Sequence, residues 1–407
     1  MSVFSANCQP VVMNDMHSSQ KKRLLFVNGH LNVGGVEKSL VDLLRHLDYT
    51  KYDVDLLLLQ ELGDYYSELP ANVKVIYRDI NHVYGPFLQS LWSNVQDGRF
   101  ADIFFRLILL SSSLFTKRIF RLLRPLLGIA KQYDTAIAYR PGICEDLVAY
   151  AVKSNKKLLW WHHGECNYTP RQIAQTNKTW PYFDHVVTIS KGCKEMLENT
   201  FNYPKERYAV IPNLIDIEKI KKLAGSTNPY DIDRGIQKFV TVGRLSEEKH
   251  VENAVYATRI LINKGYTNFR WYIVGDGELH DFIAQLIIDQ NVSEHVLMLG
   301  KKVNPYPYIK YADILIHTSY VESQSITVLE AMALHTPCVV CESVGPKEFM
   351  QNGENGMLVG HSTEDLATGI KALNGYLHIN VMKENAFQTV NRLFSSDTII
   401  GKLEGMI

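Results

Sequence analysis

The sequence predicts an α/β protein made of two doubly wound parallel sheets. Short apolar runs alternate with helix-like segments from end to end, and loops carrying glycine or charge follow the runs. A polar stretch at 223–238 separates two halves of the same pattern. In sheets of this kind ligands bind outside the carboxyl ends of the strands, so the loops after the strands are where chemistry is expected.

A first strand is expected at 23–28, followed by a glycine-bearing loop at 29–35 and a helix from Val36. Further strands at 54–59, 73–77, 135–139, 157–161, 185–189 and 208–211 complete the first half. The stretch 223–238 mixes Gly, Ser, Thr, Asn, Pro and Asp and reads as an interdomain linker. The second half restarts at 239–242 and continues with strands at 270–274, 296–299, 314–317, 338–341 and 357–359. The expected division is a disordered lead-in at 1–21, a first domain at 22–222, the linker at 223–238, a second domain at 239–385, and a helical segment at 386–407 that packs back on the first domain.

With 407 residues and 46% hydrophobic composition the chain can form two full cores. Lys+Arg and Asp+Glu are balanced at 43 each, which argues against a dedicated nucleic-acid binder. The six cysteines are scattered, and only Cys338 and Cys341 are close enough to suggest a metal site. Strand alternation points those two sulfurs to opposite faces, so they read as core residues, with no metal expected. Reduced thiols and a cytoplasmic location are the default for such a chain. No secretory signal is recognisable at the start, and no apolar run approaches the ~20 residues that span a bilayer.

Segment 102–131 interleaves large apolar residues with Arg106, Lys117, Arg118, Arg121 and Arg124. It has two readings of equal weight: a helix lying on an anionic membrane surface, or a core-packed helix with a solvated basic face.

Five loops after strands carry a signal. Gly34-Gly35-Val36-Glu37 opens a helix and allows close backbone approach. Trp161-His162-His163-Gly164-Glu165 places two imidazoles beside a carboxylate. In Gly243-Arg244-Leu245-Ser246-Glu247-Glu248-Lys249, two cations flank a helix start, where acids would suit the dipole better, and so imply an anion between them. Gly275-Asp276-Gly277 lacks the third glycine of a dinucleotide fingerprint, since Glu278, Leu279 and His280 follow. The fifth loop carries Glu322 into a small-residue helix that carries Glu330. Backbone N–H groups around Ser323, Gln324 and Ser325 suit a phosphate, and the two carboxylates suit the hydroxyls of a ribose and a hexose.

Taken together these residues resemble the retaining glycosyltransferases of family 4, which have the GT-B architecture of two Rossmann-like domains facing each other across a cleft. The resemblance also includes Val210-Ile211-Pro212-Asn213 with Ile215-Asp216, and Glu330-Ala331-Met332-Ala333; it runs from about residue 22 to about 375. It implies transfer of a hexose-type sugar, with retention, from a nucleotide-diphosphate sugar to a glycan or lipid-linked acceptor in cell-surface polysaccharide or glycolipid synthesis, with no cofactor or metal.

The resemblance gives Arg244 and Lys249 the donor diphosphate and Glu330 the ribose. Glu322 and the backbone at Ser323 and Ser325 take the sugar, and His163, favoured over His162, lies near the anomeric carbon. Gly35 gives backbone room for the donor phosphates or the acceptor, and Gly275 is counted with the donor-binding residues. The chain departs from the family at His250, where a glycine is common, and at Gln324-Ser325, where an aromatic or glycine-containing pair often follows the first Glu. The competing readings are another GT-B enzyme, either a sugar-nucleotide epimerase or an inverting transferase, and a non-catalytic sugar-nucleotide-binding module. An acid or base for the former would have to be Glu165 or Glu37.

Overall fold

The computed structural model describes residues 21–407 except 33, 61, 81–97, 99, 115, 116, 165, 231 and 232; for 101, 109–114, 117 and 118 it describes the backbone path only. The lead-in at 1–20 and Glu165 therefore lie outside the described residues.

The first sheet has seven parallel strands in the order β3-β2-β1-β4-β5-β6-β7: β1 Lys22–Asn28, β2 Tyr52–Leu58, β3 Val73–Tyr77, β4 Gln132–Ala138, β5 Lys153–Trp161, β6 His185–Thr188 and β7 Tyr208–Val210. The second has six, in the order β10-β9-β8-β11-β12-β13: β8 Gln237–Val242, β9 Phe269–Val274, β10 Val296–Gly300, β11 Ile314–His317, β12 Cys338–Cys341 and β13 Met357–Val359. In each sheet the chain begins at an inner strand, winds outward, then returns to the other side. The switch points therefore fall between β1 and β4 and between β8 and β11, the places where such sheets open a crevice.

Both faces of each sheet are covered. Leu25 and Val27 of β1 face one core while Leu24 and Phe26 face the other, which explains why this strand reads as a continuous apolar run rather than an alternating one. Cys338 and Cys341 likewise enter the two different cores of the second sheet, and both thiols are buried and free.

The strand ends at the second switch point approach closely. A Cβ on Gly275 would lie 1.8 Å from the carbonyl oxygen of Gly243, so only glycine lets the loops after β8 and β9 lie together.

The stretch 223–238 does not hang free between the domains. Tyr230 is buried in a core of the second sheet and its hydroxyl donates to the Tyr308 carbonyl at 2.8 Å, while Asp233 is buried against Arg270 and Tyr272.

The C-terminal helices divide between the two units. Helix Ile379–Phe394 places Ala386, Val390 and Phe394 in the second unit. Helix Ser396–Glu404 places Ile399 and Leu403 in the first, where Glu404 pairs with Lys51 at 3.2 Å. Leu403 is fully buried, so Leu403→Ala should destabilise the protein by about 2 to 5 kcal/mol. A denaturant midpoint equal to wild type would show that this helix does not brace the first sheet.

Segment 102–131 packs on the first core and also shows an apolar outer face. Phe105, Ile108, Phe120 and Leu123 are buried, whereas Phe100, Phe104, Leu107 and Leu122 are exposed. Arg106 is buried, and the Arg124 guanidinium donates from Nε to the Ala151 carbonyl. Arg124 is thus anchored inward rather than free for a surface, and the side chains of Lys117 and Arg118 lie outside the described residues.

Candidate active site in the interdomain cleft

The two switch points face each other across a cavity of about 380 Å³. Gly35, His162 and His163 line it from the first unit, and Arg244, Lys249 and Glu322 from the second. Ser323 and Ser325 also line the cavity. Gly275 does not, because it supports the loop of Gly243 and Arg244 from behind.

Direct contacts hold the walls together. The Gln324 amide accepts from the Asn213 backbone N–H at 2.8 Å and donates to its carbonyl at 3.0 Å. A Cβ on Gly164 would sit 2.8 Å from Ser323 Oγ and 3.6 Å from the Ser323 backbone nitrogen, so the loop after β5 lies directly against the Glu322 loop. The Glu348 carboxylate accepts from the backbone N–H groups of Lys191 and Gly192 at 2.9 and 2.7 Å, capping the start of a first-unit helix from the second unit. Lys219 bonds Asp42 at 3.1 Å and Glu68 at 2.8 Å.

The Glu322 loop is organised around its carboxylate. Oε1 accepts from Lys249 Nζ at 2.6 Å and lies 3.1 Å from His317 Nε2. Burial opposes the charge, but His317 and Lys249 outweigh it and bring the carboxyl down to about 2. Ser325 then enters helix Ile326–Ala333 with a left-handed φ of 58°, a conformation uncommon for a residue with a Cβ. His250 is left-handed too, with φ 46°, so a glycine-favouring turn is filled here by a histidine stacked on Tyr320 at 3.9 Å.

Arg244 is exposed, lines the cavity and makes no salt bridge among the described residues. Lys249 is held on Glu322 beside it, so the loop after β8 presents one uncommitted cation and one shared cation to the cleft.

Of the two histidines, His162 is the buried one. It stacks against Trp160 with ring centroids 6.2 Å apart, and neither ring nitrogen has a hydrogen-bond partner among the described residues; Asn213 and the Tyr139 backbone lie beside the ring without reaching that geometry. Burial, then His163 and Arg140, push its pKa down to about 3, so the ring is neutral at ordinary pH. A buried imidazole with unused nitrogens costs about 1 to 3 kcal/mol unless a ligand satisfies it. His163 is exposed, sits edge-on to Trp161 and is also lowered by burial and by Arg140. Both face the cavity, and the unmet hydrogen bonds single out His162 where the resemblance favoured His163.

On the first unit, Glu37 is buried and engaged: Arg140 Nη2 lies 3.1 Å from its Oε1, and His30 contacts both residues. Glu330 is also buried. It does not line the cavity, and its Oε1 accepts from Lys38 and, at 3.1 Å, from Tyr306.

Two family models match the chain: "Glycosyltransferase Family 4" over residues 33–219 and "Glycosyl transferases group 1" over residues 228–388. The chain belongs to the GT-B glycosyltransferases of this group 1, family 4 type. It is similar to an uncharacterized glycosyltransferase of Methanocaldococcus jannaschii, 26% identical over 57% of this chain and 60% of that protein. It is also similar to the N-acetylgalactosamine-N,N'-diacetylbacillosaminyl-diphospho-undecaprenol 4-alpha-N-acetylgalactosaminyltransferase of Campylobacter jejuni, 29% identical over 48% of this chain and 52% of the relative. The matches thus span between half and two thirds of these relatives' length. The fold matches the crystal structure of Anabaena HepE in complex with UDP and glucose, with a TM-score of 0.69, 17% identity and coverage of 94% and 98%.

The two shifted groups predict acid sensitivity in overlapping windows, with His162 the one of the two that acts between pH 6.5 and 4.5. His162 has a folded pKa of about 3 against 6.5, so the unfolded chain takes up a proton first, and stability present above pH 6.5 is lost as pH falls toward 3. Glu322, at about 2 against 4.5, contributes stability above pH 4.5 that is lost between 4.5 and 2. His162→Gln should therefore flatten the pH dependence of unfolding between 6.5 and 4.5, by at most about 1.4 kcal/mol per pH unit. Identical slopes in wild type and variant would mean that His162 is protonated in the folded protein.

Proposed function

We propose that this chain is a retaining glycosyltransferase. It moves a hexose-type sugar from a nucleoside-diphosphate donor to a glycan or lipid-linked acceptor in cell-surface polysaccharide or glycolipid synthesis. The observation that carries this reading is the pair Arg244 and Lys249 at the switch point of the second sheet, facing an unsatisfied neutral imidazole across the cavity. The Campylobacter relative, named for a diphospho-undecaprenol-linked substrate, and the UDP and glucose bound by Anabaena HepE agree with donor and acceptor of these classes.

The leaving group of such a reaction is a diphosphate, which gains negative charge as the glycosidic bond breaks. Arg244 and Lys249 supply fixed positive charge on its side of the cleft, an effect that is strong where water is excluded. Glu322, aligned by His317 and Lys249, accepts from a donor-sugar hydroxyl. His162 stays neutral and acts as a hydrogen-bond partner for the sugar rather than as a general acid.

An inverting step would need a base beside the acceptor. Of the two carboxylates that could serve, Glu37 is tied to Arg140 and His30 and Glu165 lies outside the described residues; in the route we propose, the proton of the acceptor hydroxyl passes to a diphosphate oxygen on the same face as the departing bond. That is the route of retention.

Arg244→Ala and Lys249→Ala are each expected to lower turnover by about 2 to 4 kcal/mol of transition-state stabilisation while the protein still folds. Wild-type turnover in both would remove the diphosphate assignment.

No described helix is long and apolar enough to cross a membrane. The exposed Phe100, Phe104 and Leu107, which share one helix face by their spacing, and the exposed Leu122 and Arg121 of the following helical segment nevertheless suit an anionic membrane surface carrying the acceptor. Binding to anionic vesicles should weaken as salt rises and be largely lost when Phe100, Phe104 and Leu107 become Ser. Equal partition onto neutral and anionic vesicles would return this face to plain solvent exposure.

A further inference from the structure

We propose that Lys38 is a positioning residue for the donor nucleotide, acting from the domain opposite the nucleotide site. The inference rests on the reading of Glu330 as the acceptor of the ribose hydroxyls. Lys38 lies in the first-unit helix Gly35–Arg45, one turn beyond the Gly35 backbone that lines the cavity. Its ammonium crosses to the second unit and is hydrogen-bonded to Glu330 Oε1 and, at 2.8 Å, to the Tyr306 hydroxyl. Tyr306 closes the triangle with its own bond to Glu330 Oε1 at 3.1 Å, and the Lys38 ammonium lies 5.4 Å from the centroid of its ring.

Burial disfavours the Lys38 charge, yet Glu330, Tyr306 and Asp42 outweigh it and hold the ammonium above its usual range. The ammonium therefore stays charged and is held in place by these contacts. Both donors share one oxygen, and no described residue is hydrogen-bonded to Oε2. Two donors on one oxygen restrict the rotation of the carboxylate and leave its second oxygen for another donor. We read that oxygen as the acceptor for a vicinal diol, held by Lys38 only when the first unit is docked; Glu330 is buried and does not line the cavity in this arrangement, so the ribose would have to enter beside it.

Lys38 thus ties ribose recognition to closure of the cleft. The ligand chemistry is a ribonucleoside diphosphate, and the expected signature is discrimination against the 2′-deoxy analogue.

The test is calorimetric titration of the full chain with matched ribo- and 2′-deoxyribonucleoside diphosphates. Wild type should prefer the ribonucleotide. Lys38→Met should bind it at least about tenfold more weakly and lose most of the preference, a difference of about 1.4 kcal/mol. Lys38→Arg, which keeps the charge, should retain the preference. Tyr306→Phe removes one donor from the same oxygen while keeping the ring; it should shift in the same direction by less, and carries the test if Lys38→Met does not fold. Glu330→Gln separates the two levels. If Glu330→Gln binds both nucleotides as wild type does, the ribose reading fails and the Lys38 proposal with it. If Glu330→Gln loses the preference while Lys38→Met and Tyr306→Phe keep it, the Lys38 proposal alone is overturned. Tighter binding by Lys38→Met would also overturn it, marking Lys38 as a plug that the ribose must displace.

Discussion

The contact on which the site depends is the two-way hydrogen bond between the Gln324 amide and the backbone of Asn213. It joins the loop that carries Glu322 to the segment that leaves the first sheet, and both partners are buried. Because one side chain satisfies both a donor and an acceptor of the same residue, it fixes orientation as well as distance. An unpaired amide in that place would be left with its desolvation penalty. The opposed imidazoles and cations line the same cavity as this joint, which ties their two walls together.

Around that joint the charges are committed to different degrees. Glu322 is locked by two partners and Lys249 is shared, while among the described residues Arg244 makes no salt bridge and the neutral His162 ring has no hydrogen-bond partner at either nitrogen. Such an arrangement is preorganised for a ligand that is anionic at one end and hydroxyl-rich at the other. The strain at Ser325 and His250 lies in the same loops, where the backbone is held in an uncommon region by its neighbours. Left-handed φ at His250 also gives a physical reason for the glycine common at that position in the family.

Much of the fold was legible in the sequence because both faces of these parallel strands are buried, leaving continuous apolar runs such as Leu24 to Val27. β5 was less legible: it begins at Lys153, where polar and lysine side chains pair by backbone with β4 before the apolar residues start. The loops that carry Arg244, Lys249 and Glu322 could be found by their position after strands. His162 was within reach of the same reasoning, since strand alternation carries it to the side of Trp160, against which it stacks. The contacts of Gln324 and Lys38 were not legible. They join residues 111 and 292 positions apart, and no local pattern encodes which side chain of one domain meets which of the other. The packing of Tyr230 and Asp233 was hidden for the converse reason, because a polar composition typical of linkers conceals single anchors.

The central claim is that the closed cleft is built for a diphosphate between Arg244 and Lys249. The most direct measurement is calorimetric titration of the protein with a nucleoside diphosphate and with the matching monophosphate at one fixed salt concentration. The diphosphate should bind at least about tenfold more tightly, a difference of about 1.4 kcal/mol or more. Equal affinities would contradict the account, because a site that does not distinguish the second phosphate is not using those two cations.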